Sequence, residues 1–382
     1  MRTNHSSAVL LASAAFLLPA AALADTHDVT IGGYVKLNAT VTDYEYGSLD
    51  GSALKDFYLA QTIPVEGAGE SEGAELDLSA RETRFWIKSA HEIGAHKVGT
   101  HIEMDFMVTG TPDERTTNSN NPRVRHAFLT YDDWLFGQTW STFFNVGALP
   151  EGADFIGPAE STVFVRQAQV RYTSGPWMLA FENPETTITP FGGGARETTD
   201  DGVMPDIVLR YNAANFSVAA IARQLTEANS AVSGDDETVA GFGVSASGKF
   251  PVGDAGDDIR FMVNYGSGLG RYVGVNYTNG AVREADGSLE AIDLASAYIA
   301  YRHIWNEYYR SNFTLSMIEV DNDPALTGGG ATASGSSLHA NLIYSPVKNL
   351  DFAYELIFGN NEVESGADGS MTRFQFAAKY TF

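Results

Sequence analysis

Basic side chains recur through the middle of this chain at positions that alternate with apolar ones. Arg84 and Lys88 flank Phe85 and Ile87, and Arg123 and Arg125 accompany Val124 and Phe128. Arg171 lies between Val170 and Tyr172, Arg210 between Leu209 and Tyr211, and Arg223 falls opposite the face that begins with Phe216 and Val218. Arg260, Arg310 and Arg373 obey the same rule. A guanidinium grips a carboxylate through two parallel hydrogen bonds and stays charged at any accessible pH. Such a series therefore offers reversible recognition of small anions. Carboxylates that could oppose it are Glu151, Asp154 and Glu160, on a stretch, 141–162, that holds no base. No catalytic residue is expected: the histidines beyond position 24 (His27, His91, His96, His101, His126, His303 and His339) stand in no motif with a nucleophile and an orienting partner. The acidic runs at 234–237 and 321–323 read as solvated loops, so neither a metal nor a cofactor is expected.

Residues spaced this way need an element of period two, and the chain supplies one repeatedly. Alternation bounded by turn residues predicts sixteen strands, at 29–46, 78–90, 96–108, 122–132, 133–140, 163–174, 177–183, 205–212, 215–225, 238–250, 258–267, 292–304, 309–320, 336–346, 350–360 and 371–382. In the first, Ile31, Gly33, Val35, Leu37, Ala39 and Val41 share one face. The connections alternate between short turns and long segments rich in Gly, Asn, Asp and Thr. An even strand count with this asymmetry predicts an all-β fold, a closed 16-stranded antiparallel transmembrane barrel with short periplasmic turns and long extracellular loops. Closure is required because an open edge would leave peptide groups unpaired in hydrocarbon. A sandwich would show Greek-key links, and a solenoid a repeated register.

The termini and the charge agree with this. Residues 1–24 carry Arg2, an apolar run too short to span a bilayer and a small-x-small ending, the pattern of a cleaved signal peptide, which leaves 25–382 as a single barrel domain. Beyond it no apolar run is long enough for a membrane helix. Cysteine is absent, as suits a large fold that needs no staple. The net charge of −24 excludes a nucleic-acid partner. Of the 48 acids, 27 fall in eight loop segments (47–75, 110–121, 141–162, 184–203, 226–237, 267–290, 321–335 and 360–370), against only 5 bases. The barrel itself is nearly balanced.

In such a barrel one face of every strand meets lipid, so the Arg and Lys residues above must face a water-filled lumen. Aromatics near strand ends (Tyr44, Tyr131, Trp134, Tyr172, Trp177, Tyr211, Tyr265, Tyr344 and Tyr380) read as interfacial girdles. The third loop, 141–162, carries Phe143, Phe144, Leu149, Phe155 and Ile156, which is odd for a solvated loop. It is expected to fold inward and narrow the lumen, setting its acids against the Arg ladder and creating a transverse field.

The strings FGQTWSTF (136–143), IGGYVKLNA, RVRHAF and QAQVRYTS resemble the trimeric DcaP-type outer-membrane porins. That resemblance spans the barrel and implies a homotrimer and a diffusion channel for small hydrophilic solutes, favouring small organic anions such as dicarboxylates. The alternative is a general or weakly cation-selective porin governed by its acidic loops. The terminal strand, RFQFAAKYTF, resembles the signal read by barrel-assembly machinery, with Tyr380 and Phe382 as its recognised aromatics. Lipid bilayer and lipopolysaccharide complete the expected partners. One departure stands out: the family pattern includes a helical extension before the barrel, whereas here only residues 25–28 precede the first strand.

Overall fold

A computed structural model describes residues 26–49, 53–108 and 116–382; the signal peptide expected at 1–24 lies outside the described residues. Sixteen strands follow one another around a barrel: β1 (Thr26–Tyr44), β2 (Glu75–Ser79, resuming as Arg84–Ile93), β3 (His96–Asp105), β4 (Arg123–Tyr131), β5 (Trp134–Trp140), β6 (Arg166–Ser174), β7 (Trp177–Glu182) and β8 (Asp206–Asn212). The series continues with β9 (Phe216–Glu227), β10 (Glu237–Val252), β11 (Asp257–Ser267), β12 (Asp293–Ile304), β13 (Tyr309–Asp321), β14 (Thr332–Val347), β15 (Leu350–Val363) and β16 (Asp368–Thr381). Each pairs antiparallel with its sequence neighbours, and β1 also pairs with β16 from Tyr34↔Thr381 to Tyr44↔Met371, so the sheet has no free edge. Beyond the last rung, Gly33 N–H donates to Phe382 O at 3.2 Å and Phe382 N–H to Gly33 O at 3.0 Å.

All sixteen expected strands are present. The last three run further than alternation predicts, into segments read as loops at 321–335 and 360–370. Above the apolar band both faces of these strands are polar, which erases the alternation but not the backbone ladder that makes them strands. On β1 the expected face is exposed to the membrane through Val29, Ile31, Val35, Leu37 and Val41, while Lys36, Asn38, Thr40 and Thr42 turn inward. Girdle aromatics pair across strands, with ring centroids 4.8 Å apart for Trp134–Tyr172 and for Trp177–Tyr211. Tyr44 departs from that expectation: it is 5% exposed, on the lumenal parity of β1.

Two irregularities re-aim charged side chains. In β2, residues 80–83 leave the ladder, and the register shifts by one residue between Tyr34↔Arg84 and Asn38↔Ser79. Strict alternation through Arg81, Glu82, Thr83 and Arg84 would aim a charge at lipid; the break turns Arg81, Glu82 and Arg84 all inward. In β4 a bulge opposite Glu103 and Met104 leaves Arg125 unpaired in the ladder, so that Arg125 and His126, though consecutive, both face the lumen. The parity beyond it flips. Phe128, expected against lipid with Val124, instead packs edge-on against the lumenal ring of His101 at 5.3 Å, and Leu129 takes the outer face.

The lumen is partly filled by chain. Loops L1 (45–74), L3 (141–165) and L6 (268–292) fold into it and build an apolar core of Phe57, Tyr58, Leu59, Phe143, Phe144, Ile156, Tyr272, Val273 and Tyr277. Each large side chain so buried contributes about 1.5–3 kcal/mol, which makes these loops part of the fold. L4 (183–205) and L6 also contribute a separate four-stranded sheet, Thr186–Thr189, Glu197–Thr199, Ala281–Arg283 and Leu289–Ala291, which packs through Ile188, Ala281 and Leu289 on the lumenal Leu225 of β9.

Candidate functional site

L3 crosses the lumen and is tied to the far wall by polar contacts along its length. Ser161 Oγ lies 2.7 Å from Ser316 Oγ on β13, Tyr298 O–H donates to Ala148 O at 3.0 Å, and Asn341 Nδ2 donates to Glu151 O at 2.7 Å. Lys36 Nζ and Gln375 Nε2 both donate to Ala153 O, at 2.7 and 3.0 Å. The expectation that this loop turns inward is met. Its apolar residues face the interior core, because the lumenal wall behind it is apolar at Ile343, Ala353 and Ile357.

Of the three loop acids, only Glu151 meets basic side chains. Its carboxylate accepts from Arg310 Nε at 3.1 Å and from Arg302 at 3.4 Å, on β13 and β12. Asp154 is buried: Oδ1 accepts Tyr58 N–H at 2.8 Å, and Oδ2 accepts the N–H groups of Ile156 and Gly157 at 2.9 and 3.0 Å. It shapes the loop tip and joins it to L1. Glu160 is also buried and accepts from Ser337 Oγ at 2.5 Å; burial pushes its carboxyl above the usual range. Asp154 and Glu160 therefore sit in the seam between loop and wall, rather than opposing an Arg ladder across open water.

The basic residues fall into different settings. Arg84, Arg123 and Arg125 share two carboxylates on β3. Arg123 makes a bidentate pair with Asp105, both bonds 2.9 Å; Arg125 reaches Glu103 and Asp105, each at 2.8 Å; Arg84 lies 3.4 Å from Glu103. Arg125 is only 2% exposed, its guanidinium lying 5.4 Å from the centre of the Phe155 ring at the L3 tip. Arg166, which the alternation did not single out, joins this group: its guanidinium is 4.3 Å from the Trp140 ring, and it makes no ion pair among the described residues. Four cations here surround two acids. The second group, Arg171 and Arg210, forms no ion pair among the described residues; Arg210 donates to Asn212 Oδ1 at 2.7 Å and to Phe144 O at 2.6 Å. Lys88 is exposed beside Trp86, close to the short-turn end. Arg223 stands apart from both. It is buried under L6, and its donors go to Asp206, Gly268 O and Glu185 O, so it fastens loops rather than lining water.

Between the L3 tip and the wall lies a cavity of about 310 Å³, lined by Tyr34, Lys36, Arg84, Phe155, Arg310 and Lys379 among others. Lys36 pairs with Glu82 at 2.5 Å, and Lys379 with Asp351 at 3.8 Å. The Tyr34 ring sits between two cations, 5.1 Å from Arg84 and 5.7 Å from Lys379. Its charged lining is balanced, with Lys36, Arg84, Arg310 and Lys379 against Glu82, Glu151, Asp154 and Asp351, and most of it comes from the wall rather than the loop. Lys36, Glu82 and Arg302 carried no sequence signal that separated them from other alternating polar residues.

Alternation also brings Ser337 and His339 onto one face of β14, with Glu355 opposite. Ser337 Oγ is 3.1 Å from His339 Nε2, and His339 Nδ1 is 3.0 Å from Glu355 Oε1. The spacing is that of a hydrolytic triad, but all three are buried beneath L1 and L3, and the serine is bonded to Glu160. Glu355 accepts the N–H groups of Ala153 and Asp154. The relay fastens L3 to the wall.

Comparison with known proteins bears on the whole barrel. The family model for the DcaP outer membrane protein matches residues 20–382. Among solved structures, the outer membrane channel DcaP of Acinetobacter baumannii superposes with a TM-score of 0.74 at 24% identity, over 93% of this chain and 97% of that one. OmpT of Vibrio cholerae, as a loop L8 deletion mutant, gives 0.51 at 12% identity over 94% and 100%, and OmpF of Salmonella typhi in complex with daunomycin gives 0.51 at 11% over 93% and 97%. No curated protein matches. At these identities the solved structures speak for the fold, while the family model spans nearly the whole sequence. The chain belongs to the DcaP outer membrane protein family.

Proposed function

We propose that this protein is a diffusion channel of the outer membrane for small hydrophilic solutes, with a preference for small organic anions such as dicarboxylates. The observation that carries the reading is the surplus of cations in two lumenal clusters beside the narrow passage, whose own lining is balanced at four bases and four acids. Arg84, Arg123, Arg125 and Arg166 gather round Glu103 and Asp105, and Lys249, Arg260, Arg302, Arg310 and Lys379 round Asp258, Glu151 and Asp351. An anion entering this region exchanges water for guanidinium donors already oriented by their neighbours, which lowers its cost of dehydration. The similar Acinetobacter baumannii protein is an outer membrane channel, which supports the channel part of the reading. The pore-facing roles fall to Arg84, Lys88, Arg123, Arg125, Arg171 and Arg210, and the loop charge to Glu151.

A second reading has its own observation. Loops carrying 27 acids against 5 bases repel anions at the mouth and would make a wide pore weakly cation-selective. The reversal potential of the refolded protein in a planar bilayer under a KCl gradient separates the two. The first reading expects anion selectivity that falls in an Arg123→Gln, Arg125→Gln variant; cation selectivity indifferent to those substitutions would leave the second. Assembly as a homotrimer, contact with lipopolysaccharide, and uptake by barrel-assembly machinery through Tyr380 and Phe382 belong to the same proposal. The two aromatics are 51% and 57% exposed on the lipid side of the strand that closes the barrel, where a docking factor can reach them.

A further inference from the structure

We infer that the first extracellular loop sets the width of the pore, with Phe57 as a positioning residue for the tip of L3; the inference rests on the channel reading above. Residues 53–63 form two short 3₁₀ turns, Ala53–Asp56 and Ala60–Thr62, inside the barrel. Phe57, Tyr58, Leu59, Ala60 and Ile63 are all buried there. L1 is anchored to three surfaces at once. Asp56 is clamped by Arg81 of the β2 break at 2.5 Å, Gln61 Nε2 donates to Gly274 O of L6 at 2.8 Å, and Asn361 Nδ2 of β15 donates to Ile63 O at 3.1 Å. Toward the tip of L3 it presents a backbone donor and a ring. The Tyr58 N–H meets Asp154 at 2.8 Å, and the Phe57 ring lies 5.7 Å from that of Phe155.

Phe155 is the next link, because its other side is the pore. It lines the 310 Å³ cavity with Tyr34 and Arg84, and it lies against the guanidinium of Arg125. A ring held from behind by Phe57 cannot retreat into the lumen core, so the aperture between Phe155 and the Arg-bearing wall is fixed by L1 as well as by L3. Phe164, 5.7 Å away and on L3 itself, also borders Phe155, so removing Phe57 opens a void on the L1 side alone, and the ring can swing toward it, since a void offers its lining no contacts.

The test uses single-channel recording and thiol labelling of the full chain, whose lack of native cysteine leaves an introduced one unambiguous. Phe57→Ala is expected to raise conductance about 1.5-fold and to add open-channel noise, because a constriction dominates pore resistance. Phe57→Leu should restore near-native conductance and noise with a near-native melting temperature, whereas Phe57→Ala, which removes a buried ring, should also lower the melting temperature. Leu59→Cys should resist a membrane-impermeant maleimide in the otherwise native protein and react once Phe57→Ala is added. Native-like conductance and noise in Phe57→Ala would overturn the inference, as would a Leu59→Cys that labels as fast as a cysteine in a solvated loop. A native protein that passes no ions defeats the channel reading itself, whatever the labelling.

Discussion

At the scale of single residues, the lumen holds a charge arrangement in which each carboxylate serves more than one base. Glu103 accepts from Arg125 at 2.8 Å and lies 3.4 Å from Arg84, while Asp105 binds both Arg123 and Arg125. Removing one acid leaves the cations in place but unbalanced. Glu103→Gln should therefore roughly double the anion-to-cation permeability ratio, read from the reversal potential. It should also cost about 1–3 kcal/mol of barrel stability, the usual penalty for a charged hydrogen bond lost at a buried site. A ratio that stays constant or falls would mean that these guanidiniums are wall fixtures whose charge solutes do not feel. Arg171 provides the contrast: with no ion pair among the described residues, its replacement by Gln should lower the ratio and leave stability nearly unchanged.

At the scale of elements, the inward loops behave as docked subunits of the interior, and Asp56 ties the docking of L1 to pH. Burial pushes its carboxyl up to about 6, against the opposing pull of Arg81. A carboxyl whose value is raised on docking binds its proton more tightly in the docked state. The resulting stabilisation of the docked loop is fully present below about pH 4 and is lost as pH rises through about 6. At one pKa unit per 1.36 kcal/mol the difference is at most about 3 kcal/mol. Open-channel noise should accordingly be lower at pH 5 than at pH 8, and Asp56→Asn should abolish most of that pH dependence. Noise that rises on acidification would place the controlling group elsewhere. The bulges in β2 and β4 act at the same scale: each inserts one residue so that adjacent charged or polar side chains share the wet face.

At the scale of the whole molecule, acidic loops at the mouth stand, on the proposed reading, in series with clusters of cations on the lumenal wall. The two act on anions with opposite sign and respond differently to salt. The loops are exposed and lose their reach as the Debye length falls from about 8 Å at 0.15 M to about 3 Å at 1 M, whereas partly buried guanidiniums are screened much less. Anion selectivity should therefore increase with ionic strength when the gradient ratio is held fixed. A pore whose selectivity decays toward zero at high salt would be governed by its surface charge alone. Closure of the barrel is also a property of the whole, carried by the β1–β16 ladder and its last rung at Phe382. Deleting Phe382 should lower the yield of heat-modifiable, folded barrel in the outer membrane more than it lowers refolding in detergent.

The strand count, the order of long and short connections and the lipid-facing parity of most strands were legible in the sequence, because a bilayer imposes one rule on every strand: apolar outside, anything else inside. The inward turn of L3 was legible for a related reason, since apolar side chains in a loop demand cover. The same signal was present in L1, where Phe57, Tyr58, Leu59 and Ile63 interrupt an acidic segment, but its charge concealed it. Alternation failed at Arg81–Arg84 and at Arg125–His126, because a bulge is chosen by what lies across the ladder and inside the lumen. The partners of Glu151, Asp154 and Glu160 were beyond it too. Which carboxylate meets a guanidinium and which is spent on backbone N–H groups depends on contacts between residues far apart in sequence, such as Arg310 with Glu151, 159 positions apart, and Ala153 with Glu355, 202 apart. Local spacing fixes the face a side chain takes on its strand; only closure of the barrel and docking of the loops decide what that face meets.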